Sequence, residues 1–142
     1  MKKVLITGGA GYIGSMLATD LIKLGYKVTV IDLMKYSETS IDHLHFNRNF
    51  EFINGDATNP KLLKQHIKNK DIIIPLAALV GAPLCEKYRY LAKKTNFGAI
   101  KLIVENIKKN QKLIYLNSNS GYGIGEKNKF CDENSPLKPI SL

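Results

Sequence analysis

Thr7-Gly8-Gly9-Ala10-Gly11-Tyr12-Ile13-Gly14 is the stretch whose reading decides the fold. It contains G-x-G-x-x-G as Gly9, Gly11 and Gly14, and G-x-x-G-x-x-G when read from Gly8. Just before it, Val4-Leu5-Ile6 is an apolar run of strand length. Just after it, Ile13, Met16, Leu17, Leu21 and Leu24 recur at helical spacing, and Gly25 follows as a C-terminal glycine should. Glycines in a strand-to-helix turn have separate duties. An early one permits the tight bend, Gly11 lets the backbone approach a pyrophosphate, and Gly14 lets the helix pack on the strand. The helix N-terminus then offers free N–H groups to phosphate. An ordinary tight turn would use glycine too, but the strand before and the helix after favour the phosphate reading.

Working outward, residues 3–7 read as a strand, 12–24 as a helix and 27–32 as a second strand. That second strand ends on Asp32, 18 residues beyond Gly14. An acidic group there is placed to bind the hydroxyls of an adenosine ribose and to repel a 2′-phosphate. No arginine follows within the next several positions, so NAD is expected rather than NADP. The plainer alternative is an aspartate capping a turn. Residues 33–50 read as loop with a short helix, and 51–54 as a third strand. Asn59-Pro60 opens a helix in which Leu62, Leu63, His66 and Ile67 share a face. A fourth strand is expected over 71–76, a long helix over 88–110 with Ile100, Ile103, Val104 and Ile107 inward, and a fifth strand over 112–116. From Asn117 onward Asn, Ser, Gly and Pro signal loop. Alternating strands and helices imply an α/β, Rossmann-like, doubly wound parallel sheet of about five strands.

The chain has 142 residues, enough for one domain with a core. Its net charge is +9, carried mostly by lysines spread over helix faces and loops rather than by an arginine cluster. A solvated surface is the reading adopted, with no nucleic-acid partner, although the charge can attract anionic ligands such as nucleotides. Cys85 and Cys131 lie far apart and form no CxxC, and His43 and His45 stand in a polar loop without further ligands, so no metal site is expected. His66 reads as a helix-boundary residue. The opening Met1-Lys2-Lys3 runs at once into the glycine loop, leaving no signal-peptide core, and no apolar run approaches membrane length. A cytoplasmic protein without membrane association is the expectation.

On these motifs the whole chain resembles the extended short-chain dehydrogenases, specifically the NAD-dependent epimerase/dehydratase family typified by UDP-glucose 4-epimerase. The glycine stretch matches that family's opening. Gly55-Asp56-Ala57 stands where a family aspartate contacts adenine, and Leu76-Ala77-Ala78-Leu79-Val80-Gly81 resembles the segment running beside the cofactor. Asn96 matches an asparagine on the long helix. The resemblance therefore implies cofactor contacts from Gly8, Gly11, Tyr12, Ile13, Gly14, Asp32, Leu33, Asp56, Ala57, Leu76, Ala77, Ala78 and Asn96. Beyond the fifth strand, Ser118 stands where the family has a Ser or Thr that hydrogen-bonds the reacting sugar hydroxyl, and Ser120 at a second substrate position. Tyr122 belongs to a structural Tyr-Gly pair. Each of these has a bland counterpart: Asp56 as a turn residue, the Leu-Ala-Ala run as packing, Asn96 satisfied locally, Ser118 satisfying nearby backbone.

Family dehydratases carry an Asp-Glu pair directly after the Thr; here the residues are Asn119 and Ser120, neither suited to that proton transfer. Epimerisation of a nucleotide sugar is thus favoured over dehydration. The segment 132–142 looks like the stretch that precedes the family's Tyr-x-x-x-Lys, so this chain is expected to lack the catalytic base and to be inactive alone. It would be the NAD-binding portion, without the sugar-binding domain, of a parent that the resemblance implies is a homodimer. Its fifth strand would form a bare sheet edge. A reductase or decarboxylase of the same fold, and a non-catalytic NAD-sensing module, remain alternative readings.

Overall fold

The computed structural model describes residues 1–125 and 128–140. Five strands, β1 (Lys3–Thr7), β2 (Lys27–Asp32), β3 (Phe50–Asn54), β4 (Ile72–Pro75) and β5 (Lys112–Leu113), form one sheet in the order β3-β2-β1-β4-β5. All four pairings are parallel. The chain builds outward from β1 through β2 to β3, then returns to β1's other side as β4. This reversal leaves a crevice beyond the carboxyl ends of β1 and β4, where the glycine loop lies. The expected Rossmann-like parallel sheet is therefore present.

Alternation along the strands feeds two cores. Val4, Ile6, Val28, Val30 and Ile74 face α1 (Tyr12–Lys23) and the buried Ile41 and Leu44. Leu5, Ile31 and Ile73 face the other way, against Leu63 and Ile67 of α2 (Pro60–Ile67) and Ile103 of α5 (Ala99–Asn106). Sheet-side burial on both faces explains why these strands read as unbroken apolar runs.

The ends of α1 and α2 follow local chemistry. Gly25, at φ +82°, closes α1 while Tyr26 N–H returns to Leu21 O. Asn59 caps α2, its side chain accepting from Lys61 and Leu62 N–H, with Pro60 in the first turn. The inward face of α1 differs from the expected one. Gly14, Ala18 and Ile22 are buried with Leu17 and Leu21 beside them, whereas Ile13 and Met16 are 59% and 57% exposed and Leu24 is exposed. The close approach of α1 to β1 and β2 admits small residues at its centre line, and apolarity alone pointed to the larger ones.

The long helix is not one helix. It begins earlier, as α3 (Ala82–Lys87) with Pro83 in its first turn, and breaks at Tyr88 (φ −123°, ψ 50°). It resumes as α4 (Arg89–Ala92), passes through a π-helical stretch (Lys93–Gly98) and continues as α5, ending at Asn106 because Ile107 turns extended. Val104 faces outward while Ile103 is buried. The fifth strand is shorter than expected. Ile114 N–H still donates to Ile73 O, but Pro75 has no N–H to return, and Ile114, Tyr115 and Leu116 stand exposed at the sheet edge.

Candidate functional site: a cleft at the carboxyl edge of the sheet

The glycine loop is held from several sides. Gly8, at φ +73°, donates its N–H to Ile31 O, and a Cβ there would fall 2.4 Å from Ala77 N. A Cβ on Gly14 would fall 2.5 Å from both Gly8 O and Gly9 Cα, so this glycine is needed for the helix to sit on the loop. Gly11 differs. Its φ is −74°, and a Cβ there would meet only Gly8 O, at 3.3 Å. The protein's own packing does not demand glycine at 11, so the demand points outward, toward something approaching the backbone. Gly11 is also the N-cap of α1 and supplies no side-chain cap, leaving the first-turn N–H groups to be satisfied from outside.

Asp32, at the carboxyl end of β2, braces this loop. Its Oδ2 accepts from Ala10 N–H at 2.9 Å and its Oδ1 from Met34 N–H at 2.8 Å. Each oxygen keeps a lone pair for a further donor. The turn-capping alternative for Asp32 is thus part of its role here, alongside its position at the cleft.

One cleft collects these groups. Gly8, Ala10 and Gly11 line it with Ile31, residues 32–37, 55–57 and 76–79, Leu91 and Thr95. Of the residues singled out in the sequence, Gly8, Gly11, Asp32, Leu33, Asp56, Ala57, Leu76, Ala77 and Ala78 lie on its wall. Tyr12 and Ile13 sit exposed on the first turn of α1, and Gly14 is buried behind it. Asn96, on the π-helical stretch, does not line the cleft. Its Oδ1 accepts from Leu79 N–H at 2.8 Å and its Nδ2 donates to Leu79 O at 2.9 Å, so its amide pins one wall residue at both backbone groups.

Asp56 follows β3 and accepts from Thr58 N–H at 2.7 Å. Burial pushes its carboxyl up. The Thr58 N–H, with Lys94 and Lys35, outweighs that and holds it below the ordinary carboxylate value. Lys94 Nζ stands 3.9 Å from Asp56 Oδ2, both side chains partly exposed. Asp56 is therefore a carboxylate at neutral pH, able to accept from an amino group at that end of the cleft.

Several wall residues carried no signal as single residues. Met34, Lys35, Tyr36 and Ser37 follow Asp32 in a segment that reads only as polar loop, and Met34 adopts φ +54°, unusual for a residue other than glycine. Thr95 and Leu91 come from the helix that reads as continuous. Asn96, the neighbour of Thr95, was the available clue.

The chain matches the model of the NAD dependent epimerase/dehydratase family over residues 4–142. It belongs to that family. It is 31% identical over 125 residues to a UDP-N-acetyl-alpha-D-glucosaminuronate decarboxylase from Bacillus cytotoxicus, covering 87% of this chain and 39% of that protein. It is 30% identical to a UDP-glucose 4-epimerase from Neisseria gonorrhoeae, covering 94% of this chain and 41% of that one. Among solved structures, the UDP-glucuronic acid 4-epimerase of Bacillus cereus, in complex with UDP-glucuronic acid and NAD, superposes with a TM-score of 0.85 at 30% identity. That match covers 98% of this chain and 46% of the Bacillus cereus one. The chain thus spans less than half the length of these relatives.

In this epimerase/dehydratase chain Ser118 and Ser120 follow β5, so the parallel sheet places their loop at the same edge as the glycine loop. Both are exposed and neither lines the cleft. Their hydroxyls lie 2.8 Å apart, and Ser118 Oγ accepts from Ser120 N–H. The segment after residue 131 folds back on this loop. Lys138 N–H donates to Gly121 O, and a Cβ on Gly123 (φ +68°) would strike Lys138 O. Ser141 and Leu142, the last residues of the stretch read as preceding a Tyr-x-x-x-Lys, lie outside the described residues. The chain does contain one such spacing, Tyr90 and Lys94, but Tyr90 is 83% exposed and Lys94 pairs with Asp56. That places the pair at the wrong end of the cleft for proton transfer near Ser118. Among the described residues no group of three metal-ligating side chains occurs, and no helix is long and apolar enough to cross a membrane.

Proposed function

We propose that this chain is the NAD-binding portion of a nucleotide-sugar epimerase. The observation that carries the reading is the uncapped first turn of α1 behind Gly11, facing a cleft that has Asp32 at one station and Asp56 at another. The residues fit a dinucleotide. Gly11 exposes bare backbone where packing does not require it, and the N–H groups of Tyr12, Ile13 and Gly14 suit a pyrophosphate. The free lone pairs of Asp32 suit ribose hydroxyls, and the Asp56 carboxylate suits the adenine amino group. When bound, NAD supplies the hydride acceptor and donor for reversible oxidation at a sugar carbon.

Within that scheme Ser118 is the residue that touches substrate, holding a sugar hydroxyl with Oγ while Ser120 supports it from 2.8 Å. Neither is a base at neutral pH, and the Tyr90–Lys94 pair stands away from them, so this reading takes the proton to a base outside the described residues. The chain alone is therefore inactive, and its nucleotide-sugar substrate and its homodimeric assembly belong to the longer parent.

Isothermal titration calorimetry on the 142-residue chain tests the binding claim: NAD uptake at one site is expected, weakened by Gly11→Ala, which the loop's own packing tolerates. Absence of NAD uptake by folded protein overturns it. Turnover of UDP-sugars by this chain alone would overturn the inactivity. The Bacillus cytotoxicus relative favours one second reading, oxidative decarboxylation of a nucleotide-linked uronic acid. Release of carbon dioxide by the parent, in place of an epimeric sugar, would decide for it.

A further inference from the structure

The glycine loop is held by a second side chain that no motif marks. Ser40 Oγ donates to Ala10 O at 2.7 Å, across 30 residues of sequence. The N–H of the same Ala10 is held by Asp32. Both faces of this one residue are therefore fixed, one by a carboxylate and one by a hydroxyl.

The Ala10 carbonyl belongs to the peptide that leads into Gly11, the bare N-cap of α1. Ala10 lines the cleft and Ser40 does not, so the hydrogen bond draws the carbonyl oxygen away from the space the cleft offers. Were this peptide to rotate, a carbonyl would face the place where the first-turn N–H groups converge. A partial negative charge there opposes any anion bound at the helix end. Two bonds oppose this rotation, the 3.2 Å donation from Gly11 N–H to Gly8 O and the shorter one from Ser40, whose hydroxyl is itself rigidly presented. Ile41, next to Ser40, is fully buried, Leu44 is nearly so, and Asp42 N–H closes the turn onto Thr39 O.

We infer that Ser40 is a positioning residue for the anion site: its hydroxyl, anchored by Ile41, holds the Ala10 carbonyl out of the cleft so that the end of α1 receives the diphosphate of a dinucleotide. This rests on the NAD-binding reading above. It predicts a selective effect, because Ser40 bonds the Ala10 carbonyl at the phosphate station and not Asp56 at the adenine end.

The test uses the 142-residue chain carrying Ser40→Ala, and Ser40→Thr as the conservative rescue. NAD affinity by calorimetry is expected to fall about tenfold in Ser40→Ala, the effect of one lost hydrogen bond of ordinary worth, and to return to within about threefold in Ser40→Thr. Adenosine binding, followed by amide chemical shifts, is expected to stay within about twofold of the unaltered chain. Hydrogen exchange at the Gly11 amide, which shares a peptide with the Ala10 carbonyl, is expected to quicken in Ser40→Ala in the ligand-free protein. A merely structural role would weaken adenosine and NAD together, and that outcome overturns the proposal. So does unchanged NAD affinity in Ser40→Ala when the unaltered chain binds NAD. If the unaltered chain takes up no NAD, the NAD-binding reading itself falls and carries this one with it.

Discussion

Gly8 and Gly11 sit three residues apart in one loop, and alanine at each should fail differently. At Gly8 the backbone is at φ +73° and the new Cβ lies 2.4 Å from Ala77 N and 2.6 Å from Leu76 C, both backbone atoms that cannot step aside. A left-handed conformation costs a residue with a Cβ about 1–2 kcal/mol, and overpacking a closed contact about 1–3 kcal/mol more. Gly8→Ala should therefore lose about 2–5 kcal/mol of stability, a large share of what a domain of this size possesses. At Gly11 φ is −74° and the nearest atom to a new Cβ is Gly8 O at 3.3 Å. Restricting the unfolded chain gains about 0.4–1 kcal/mol there. Alanine as an N-cap loses a similar amount relative to glycine, roughly up to 1 kcal/mol. The two effects nearly cancel, and Gly11→Ala should fold as the unaltered protein does. Its methyl group would occupy the space where a pyrophosphate meets the backbone, and NAD affinity should fall at least tenfold. Urea unfolding and calorimetry on the two variants separate the cases. If Gly11→Ala were as unstable as Gly8→Ala, or bound NAD at full strength, the argument that Gly11 serves a ligand rather than the fold would be wrong.

Two further outcomes follow from side chains described above. Asn96→Ala removes both hydrogen bonds to Leu79 and leaves its N–H and C=O half-buried without that partner, so about 1–3 kcal/mol of stability should be lost; hydrogen exchange at Leu79 should quicken before any ligand is added, and an unchanged rate would mean the clamp is not formed in solution. Burial pushes the Lys70 ammonium below its usual 10.5, against the opposing pull of Glu51 and with a further push from Lys27 and Lys3. Its folded value then lies below its unfolded one, so the unfolded chain holds the extra proton across that window and stability should rise with pH on approaching 10.5. Lys70→Met should flatten that part of the stability–pH curve measured by denaturant unfolding, and an unaltered slope would count against the assignment.

Much of the fold was legible because the central strands β1, β2 and β4 are buried on two sides and therefore read as apolar runs, and because Gly25 and Asn59-Pro60 mark helix ends by local chemistry. Legibility failed where tertiary contact overrode pattern. On α1, Ile13 and Met16 looked like core, but a helix crossing this close over Gly9 needs Gly14 and Ala18 inward. The break at Tyr88 and the π-helical stretch leave no mark in hydrophobic spacing, so Thr95 was missed although its neighbour Asn96 stood out. The brevity of β5 follows from Pro75 in a neighbouring strand, a dependence that no local window contains. At the site, Gly8, Gly11, Asp32 and Asp56, each singled out in the sequence by one backbone or charge requirement, line one cleft. The 34–37 wall is built by a loop whose composition reports only that it is polar.

The double engagement of Asp32 bears on any attempt to redesign cofactor choice. Exchanging an acidic strand-end residue for a basic or neutral one is the obvious way to admit a phosphorylated ribose. In this protein the same exchange would release Ala10 and Met34 at one stroke, unseating the bend on one side and the following loop on the other. On the proposed NAD-binding reading, preference and scaffold are coupled through a single carboxylate, so a switch of preference would have to import replacement acceptors for two amides along with the new charge.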